Sequence, residues 1–372
     1  MVTKTSTGKG KLIFHTEKRK KPMKLANLNV RTTTNKGLKI SRRKKFTDRD
    51  MSPEEKSNIQ RDFRDEKPPI KIEFDKYLDD GGSSYIFNTS CPGIRGATDS
   101  VVKMLKPQIL TMKDRSLAQA YVNMNNKEAL FHKDISDHLP LDVVKVYKTG
   151  VVDKKTYILM QRMNQINLGH VVKKQNKISL KNKVKMMVRL SEIIKNVHEL
   201  GYFHMDIKPE NILLTKSSKI LNYRNGISKP NDKFKLKLAD FGSAKYIKRD
   251  LTLEPNEAMG TPEYMAPEQV FGTHNTDYRA DIFSLGMIFY DMIYCKRARD
   301  FRPFISEEGE LDNYALYKYV SEFEPKIEPF STDYIPLENL VRNCLRKDPN
   351  DRYQTMEEVH NGLSIFYDNY LR

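Results

Sequence analysis

The stretch that decides the fold of this chain is His204-Met205-Asp206-Ile207-Lys208-Pro209-Glu210-Asn211. Two shorter motifs follow it in order, Asp240-Phe241-Gly242 and Ala266-Pro267-Glu268. The set supplies a carboxylate, a lysine, an asparagine and then a second aspartate before a glycine. Phosphoryl transfer needs such groups: a carboxylate near the attacking hydroxyl, oxygen ligands for metal ions, and cations near the phosphates. Each triplet alone is common, but the ordered set is highly specific.

These motifs resemble those of the eukaryotic-type protein kinases, in their serine/threonine branch, and the similarity runs from about residue 72 to the C-terminus. The resemblance implies an α+β, bilobal protein-kinase-like fold. A small antiparallel β lobe with one main helix would occupy residues 71–163, and a larger, mainly α-helical lobe residues 164–372. It also implies transfer of the γ-phosphoryl group of Mg-ATP to Ser or Thr hydroxyls of protein substrates.

Charge is distributed unevenly along the chain. The net charge of the 372 residues is +17, and residues 1–50 hold 16 Lys/Arg against 3 Asp/Glu, which leaves +4 for the remainder. Residues 1–70 lack sustained hydrophobic periodicity, so we expect a basic and mostly disordered N-terminal extension. Its clusters at 18–21 and 42–45 are typical either of a solvated tail with weak affinity for polyanions or of a nuclear-import, nucleic-acid or anionic-surface patch.

The three cysteines, Cys91, Cys295 and Cys344, have no metal-binding spacing. An odd and sparse set argues against a disulfide framework and favours a reducing compartment. The most apolar long segment, residues 282–294, is too short to span a bilayer. We therefore expect an intracellular protein, cytoplasmic or nuclear, without a transmembrane segment.

The pattern of residues changes from strand-like to helical near residue 163. Five β-like segments are predicted at 72–78, 85–89, 100–105, 143–148 and 156–160, with a helix over 115–133. Beyond them, an apolar stripe at spacings of three and four residues predicts a helix over 181–200. Further helices are expected over 277–294 and after residue 311. Residues 216–232 are expected to form an exposed polar loop.

The resemblance assigns roles to five polar residues. Asp206 would be the base near the acceptor hydroxyl, and Lys208 would neutralise charge on the transferred phosphoryl group. Thr261, in Gly260-Thr261-Pro262-Glu263, would form a hydrogen bond near both of them. Asn211 and Asp240 would hold magnesium ions that bridge the ATP phosphates.

A glycine-containing segment stands where the resemblance expects a phosphate-binding loop. Glycines let the backbone approach phosphates closely. The match is imperfect, because Asp79 replaces the first expected glycine and Ser84 the third; an ordinary hairpin turn is the alternative. The residues predicted to contact the nucleotide here are Gly81, Gly82, Ser83, Ser84 and Ile86.

Four further residues complete the predicted nucleotide site. In Ser100-Val101-Val102-Lys103, the lysine resembles the one that binds the α- and β-phosphates, and Lys106 is its rival on the opposite strand face. Glu128 is the predicted acidic partner of Lys103. Met160 would guard the pocket behind the adenine base, and Arg162 would lie in the connection that receives the base.

Three residues are given structural rather than chemical roles by the resemblance. Glu268 is predicted to form a buried pair with Arg352, and Asp281 to brace the catalytic loop. Met205 stands where many kinases carry an arginine that receives an activation-loop phosphate. Since methionine cannot pair with phosphate, activity is predicted to be independent of phosphorylation of the 243–260 loop, although Thr252 offers a hydroxyl there.

Two alternatives belong to other classes. A pseudokinase-type binding scaffold is favoured only by the altered glycine loop. A scaffold needs none of the following residues, all of which are intact: Lys103, Asp206, Lys208, Asn211 and Asp240. A nucleic-acid-binding protein with a vestigial catalytic body is favoured only by the basic extension. That class requires steeply salt-dependent binding, and no basic platform interleaved with aromatic residues accompanies the extension.

Overall fold

A computed structural model describes residues 53–64, 73–80, 84–152, 155–163, 166–173, 178–214, 236–247, 260–272, 276–305, 312–329 and 334–372. The predictions made for residues 1–52, 81–83 and 216–232 and for Thr252 lie outside these residues.

The N-terminal part of the described chain is built on a five-stranded antiparallel sheet, with the strand order β1-β2-β3-β5-β4. The strands are β1 (Glu73–Asp80), β2 (Ser84–Ser90), β3 (Ser100–Leu105), β4 (Val146–Val152) and β5 (Lys155–Gln161). The sequence prediction placed the fourth strand at 143–148, which is wrong by several residues. Val143 instead makes a parallel bridge to Leu238, and Val144 donates its N–H to the Leu238 carbonyl, so these residues connect the sheet to the rest of the molecule.

Alternation along the strands gives the sheet two apolar faces, because successive side chains point to opposite sides. Val102 of β3 packs in the outer cluster, with Phe87 and Tyr157 from the neighbouring strands. Val101 packs on the opposite side, in a cluster with Met160 and Ala129. Lys103 shares the parity of Val101, which directs its side chain toward that inner side.

A helix, α1 (Pro53–Arg64), lies inside the segment that was predicted to be mostly disordered. Its residue Ile59 is completely buried in the outer cluster, against the face of the sheet that carries Phe87 and Tyr157. The overall composition of residues 1–70 concealed this helix, since Ile59 is the one buried residue among the α1 side chains that the structure describes.

The helix α3 (Arg115–His138) packs on the inner face of the sheet. It comes after the short helix α2 (Pro107–Leu110). The N-cap of α3 is Asp114, whose side chain accepts a hydrogen bond from the Leu117 N–H at 3.0 Å. Such a cap satisfies one of the free N–H groups of the first turn. The helix runs five residues beyond the predicted end at 133.

The C-terminal part of the chain is mainly helical, as predicted. Its helices are α4 (Leu168–Val172), α5 (Leu180–Glu199), α6 (Arg279–Tyr294), α7 (Asn313–Glu322), α8 (Ile335–Cys344) and α9 (Met356–Tyr370). Two short antiparallel pairs lie beside them, β6 (Tyr202–Phe203) with β9 (Lys245–Tyr246), and β7 (Ile212–Leu214) with β8 (Leu236–Leu238). Together with the sheet, they form the bilobal α+β architecture that the sequence predicted.

Two helices organise the large lobe. The stripe of α5 that begins at Val184 is buried, and the chain turns at Gly201, where φ is +83°. Helix α6 is buried almost all round, which suits a helix at the centre of a large lobe. No helix among the described residues has the length and apolar character needed to cross a membrane.

Candidate active site

Lys103 joins the two lobes through two carboxylates. Its Nζ lies 2.6 Å from Oε1 of Glu128 on α3 and 3.3 Å from Oδ1 of Asp240, which follows β8. The Lys103 and Glu128 side chains are 14% and 5% exposed, whereas that of Asp240 remains 46% exposed. The structure therefore brings together three predicted site residues that lie up to 137 positions apart.

Burial and neighbouring charges shift the pKa values of Lys103, Asp240 and Glu128 in different ways. Burial opposes a charge on Lys103, yet Asp240 and Glu128 together raise its pKa, so it stays protonated. Burial would also raise the pKa of Asp240, but the charges of Lys103 and Lys208 hold that pKa well below its usual range. Burial raises the pKa of Glu128 even beside Lys103. One cation thus faces two carboxylates, and Asp240 remains ionised and accessible.

A second cluster surrounds Asp206. Lys208 Nζ lies 2.8 Å from both Asp206 Oδ2 and Thr261 Oγ1. The Thr261 hydroxyl donates a hydrogen bond to Asp206 Oδ1 at 2.8 Å, which closes the triangle. Burial opposes the charge of Lys208, but the neighbouring Asp206 and Asp240 raise its pKa. The structure places all three predicted catalytic residues in mutual contact.

Asn211 lies within the same loop, with its amide nitrogen already engaged. Its Nδ2 donates to the backbone carbonyl of Asp206 at 2.9 Å. This bond orients the side chain so that the other end of the amide, Oδ1, is the end available as a ligand. An amide oxygen and the Asp240 carboxylate are both hard oxygen donors, of the kind that magnesium prefers.

The loop that carries Asp206 is held in an uncommon backbone conformation. Met205 has a φ of +66°, in the left-handed region that costs a non-glycine residue roughly 1–2 kcal/mol. Asp281 of α6 is fully buried and accepts hydrogen bonds from the N–H groups of His204 and Met205, both at 2.8 Å. The bracing role predicted for Asp281 agrees with this geometry.

The predicted glycine loop is described only at its edge. Gly81, Gly82 and Ser83 lie outside the described residues. Ser84 is buried, and its hydroxyl accepts a hydrogen bond from Asn125 of α3 at 3.2 Å, so this side chain is used within the small lobe. Ile86 is half-buried and packs on the inner apolar cluster.

The inner apolar cluster contains side chains from both lobes, and Met160 within it is 8% exposed. The sequence predicted that Ile86 and Met160 belong to the nucleotide site, but it did not identify three other residues of this cluster. They are Val101 from β3, Leu213 from β7 and Ala239, which directly precedes Asp240. Leu213 and Ala239 each lie one or two residues from a predicted metal ligand. This proximity in the sequence could have identified them as part of the site.

Arg162, at the end of β5, is held by the segment that precedes β3. The backbone N–H of Arg162 donates to the Asp99 carbonyl at 3.2 Å, and its guanidinium lies 3.3 Å from Asp99 Oδ1. Both contacts hold the end of β5 against the segment before β3. The Arg162 N–H is therefore already used within the small lobe, and contact of this residue with an adenine base stays a prediction.

Lys127, next to Glu128, is a further residue that sequence reasoning did not identify. It is 7% exposed, and burial together with the nearby charge of Lys245 lowers its pKa to about 7. Its neighbours come from a distant part of the sequence, so no local pattern marks it.

The fold and the two polar clusters define a bilobal phosphotransferase architecture, with one cluster spanning the junction and the other in the large lobe. The chain belongs to the protein kinase domain family, which matches residues 93–362. Membership implies the use of ATP and a divalent metal ion. The match begins after β1 and β2, so it does not include the altered glycine loop.

Curated relatives carry consistent names. The chain is 27% identical over 287 residues to a probable serine/threonine-protein kinase of Clostridium perfringens, covering 76% of this chain and 36% of that one. It is 27% identical over 307 residues to the probable serine/threonine-protein kinase PknB of Corynebacterium glutamicum, covering 78% and 41%. For the serine/threonine-protein kinase PknA of Mycobacterium tuberculosis, the identity is 29% over 203 residues, covering 54% and 41%. The chain thus spans less than half the length of these relatives.

Proposed function

We propose that this protein is a serine/threonine kinase that transfers the γ-phosphoryl group of Mg-ATP to hydroxyl groups of protein substrates. The observation that carries the proposal is the triangle of Asp206, Lys208 and Thr261, next to the pairing of Lys103 with Glu128 and Asp240. Positioning and electrostatic stabilisation supply most of the catalysis in phosphoryl transfer, and these residues can provide both.

In this proposal, Asp206 orients the acceptor hydroxyl and accepts its proton. Lys208 neutralises charge that develops on the transferred group, and the Thr261 hydroxyl holds both side chains in register. Lys103 binds the α- and β-phosphates, and Glu128 fixes its position. The Lys208–Thr261 contact supports Ser/Thr rather than Tyr as the acceptor.

The donor set at the junction fits magnesium. Among the described residues, no group of three or more His, Cys, Asp or Glu side chains could hold a metal ion by itself. Magnesium commonly binds through one or two protein oxygens together with substrate phosphates and water. Asp240 and Asn211 would hold the ion, which would supply charge neutralisation at the phosphates. The adenine base would pack against the inner apolar cluster, which includes Val101, Met160 and Leu213.

The test is phosphoryl transfer from labelled ATP to a generic basic protein, in the presence and absence of magnesium. Asp240→Asn should reduce transfer by up to about a thousandfold, since it removes the ionised metal ligand. Asp300→Asn, which changes an exposed carboxylate paired with Arg302, is the matched control and should retain activity. Phosphoamino-acid analysis should detect phosphoserine or phosphothreonine.

Two results would contradict the proposal. Nucleotide binding without any transfer by the wild-type chain would favour the pseudokinase scaffold. Transfer that survives Asp240→Asn would show that the site assignment is wrong.

We also propose that the protein acts inside the cell, in the cytoplasm or nucleus. The three cysteines are free, which supports a reducing compartment. Import through the basic clusters at 18–21 and 42–45 is tested by imaging a tagged protein with both clusters neutralised. A distribution that is cytoplasmic and unchanged by neutralisation would exclude import.

A further inference from the structure

An arginine of this chain occupies an acidic environment beside the catalytic triangle. Arg297, in the loop after α6, places its Nη1 3.2 Å from Asp291 Oδ2 and within hydrogen-bonding distance of the Tyr264 hydroxyl. The guanidinium carbon lies 5.4 Å from the centroid of the Tyr264 ring. The Arg297 side chain is nevertheless 45% exposed, whereas that of Asp291 is 2% exposed.

Three carboxylates share this environment. Burial raises the pKa of Asp291 to about 7, and the charge of Glu210 adds to the shift. Burial also raises the pKa of Glu263, which lies within electrostatic range of Glu210, Arg297 and Lys208. Negative charge is therefore costly here without a nearby cation. We call Glu210, Glu263 and Asp291, with Tyr264, the acidic subsite.

The acidic subsite borders the place where an acceptor would bind. Glu210 is two residues from Lys208, and Glu263 is two residues from Thr261. Lys208 itself senses the charge of Glu210. A polypeptide whose hydroxyl reaches Asp206 would therefore pass close to these carboxylates.

The loop that carries Arg297 is firmly attached to the same segment. Arg299 is 5% exposed and donates through Nη1 to the carbonyls of Pro262 and Met265, at 2.7 and 2.6 Å. Its guanidinium also packs over the Phe323 ring, with 4.5 Å between the guanidinium carbon and the ring centroid. Because these contacts fix the loop, Arg297 is held at the subsite while half of its side chain stays accessible.

We propose that Arg297 determines substrate specificity by acting as a built-in basic ligand of the acidic subsite. It takes the position that an arginine or lysine side chain of a protein substrate would otherwise occupy. Its own charge also repels such side chains, and repulsion of this kind is a common means of discrimination. Wild-type protein therefore selects weakly for basic residues near the acceptor. This inference rests on the proposed kinase function.

The experiment compares peptides that have one acceptor serine and a single arginine placed in turn at each of the four positions on either side. For each position, the ratio of kcat/KM for the arginine peptide to that for the alanine peptide is measured. Wild-type protein and the Arg302→Ala control, which loses an exposed arginine, should give ratios below about threefold at every position. Arg297→Ala should raise the ratio about tenfold at one position or more, which corresponds to about 1.4 kcal/mol.

Two further variants separate specificity from damage to the fold. Arg297→Lys keeps the cation and should retain the wild-type profile. The double variant Arg297→Ala/Asp291→Asn should lose the gain, since Asn retains the acceptor for the Ala298 N–H but not the charge. The proposal is overturned if Arg297→Ala has the wild-type ratios, or if the gain persists in the double variant.

Peptide binding by fluorescence anisotropy provides the same comparison without turnover. Failure of phosphoryl transfer in every variant would refute the proposed function, while the binding ratios would still test Arg297. If Arg297→Ala unfolds, Arg297→Gln, which keeps a hydrogen-bond donor without the charge, takes its place with the same expected gain.

Discussion

The Lys103 cluster and the Glu268–Arg352 pair differ in how completely their charges are matched. Between the lobes, Lys103 faces both Glu128 and Asp240, and the Asp240 side chain stays 46% exposed. Within the large lobe, Arg352 contacts both oxygens of Glu268 at 2.6 and 2.7 Å, and its side chain is 0% exposed. The distances are similar, but the surroundings are not.

The Glu268–Arg352 pair in the large lobe is saturated, in the sense that each guanidinium nitrogen of Arg352 has its acceptors within the protein. The remaining donor capacity of Arg352 is used by the carbonyls of Arg346, Arg279 and Lys347. The cluster between the lobes has an excess of carboxylate, which leaves Asp240 able to bind a further cation. The matched pair stabilises the fold, whereas the unmatched cluster can bind a ligand. Substitutions in the pair should therefore mainly change the unfolding free energy, and substitutions in the cluster should mainly change activity.

The largest expected effect is on activity, at Lys103. Lys103→Met should lower kcat/KM for phosphoryl transfer by up to about a thousandfold, comparable to the loss of a key electrostatic contact. The unfolding free energy should change far less, because burial favours the protonated form of Glu128 once its partner is gone. Enzyme kinetics and chemical denaturation measure the two quantities. Lys106→Met, three residues along the chain, is the control and should stay active; the reverse result would transfer the role to Lys106.

The saturated pair should behave in the opposite way. Glu268→Gln leaves Arg352 charged and buried without a counter-ion, which should cost about 3–5 kcal/mol of unfolding free energy. Below the unfolding transition, kcat/KM should stay within about threefold of wild type. Glu338→Gln, in a pair whose Arg342 side chain is 39% exposed, should cost less than about 1 kcal/mol. Equal losses in both variants would mean that saturation and burial do not distinguish the pairs.

Ile59 makes an apolar contact outside the region that matches the protein kinase family. Its effect on the unfolding free energy can be compared with that of the Glu268–Arg352 pair. Ile59→Ala should destabilise the protein by about 2–4 kcal/mol, since Ile59 is completely buried against the sheet. Ile365→Ala, at a position that is 61% exposed, is the matched control and should lie within about 0.5 kcal/mol of wild type. A negligible effect of Ile59→Ala would mean that α1 is not part of the folded small lobe in solution.

Sequence patterns predicted the cluster around Asp206 because each of its residues lies in a short motif whose spacing is itself informative. Asp206, Lys208 and Asn211 share one loop, and the structure places them together. The pairing of Lys103 with Glu128 and that of Glu268 with Arg352 were inferred from the resemblance and agree with the geometry. These contacts depend on residue types that local sequence displays.

Features set by register and by distant neighbours were not predictable in this way. Strand β4 begins three residues late because Val143 bridges to Leu238, a contact 95 positions away. Arg162 is held by Asp99, and Lys127 is influenced by Lys245. Helix α1 lies within a segment whose average composition is basic and polar, so its one buried isoleucine could not be distinguished from a solvated residue.

The smallest expected effect is the change in kcat/KM when the 243–260 loop is not phosphorylated. It tests whether the backbone at Met205 is fixed without a phosphate. Met205 is 3% exposed, its N–H donates to Asp281, and its carbonyl accepts from Gln269. The Met205 side chain offers no cation to a phosphate, and its backbone is already fixed without one. Thr252→Ala protein and phosphatase-treated wild type should therefore retain kcat/KM within about threefold of untreated protein. A loss on the order of a hundredfold (about 2.7 kcal/mol) would contradict this prediction.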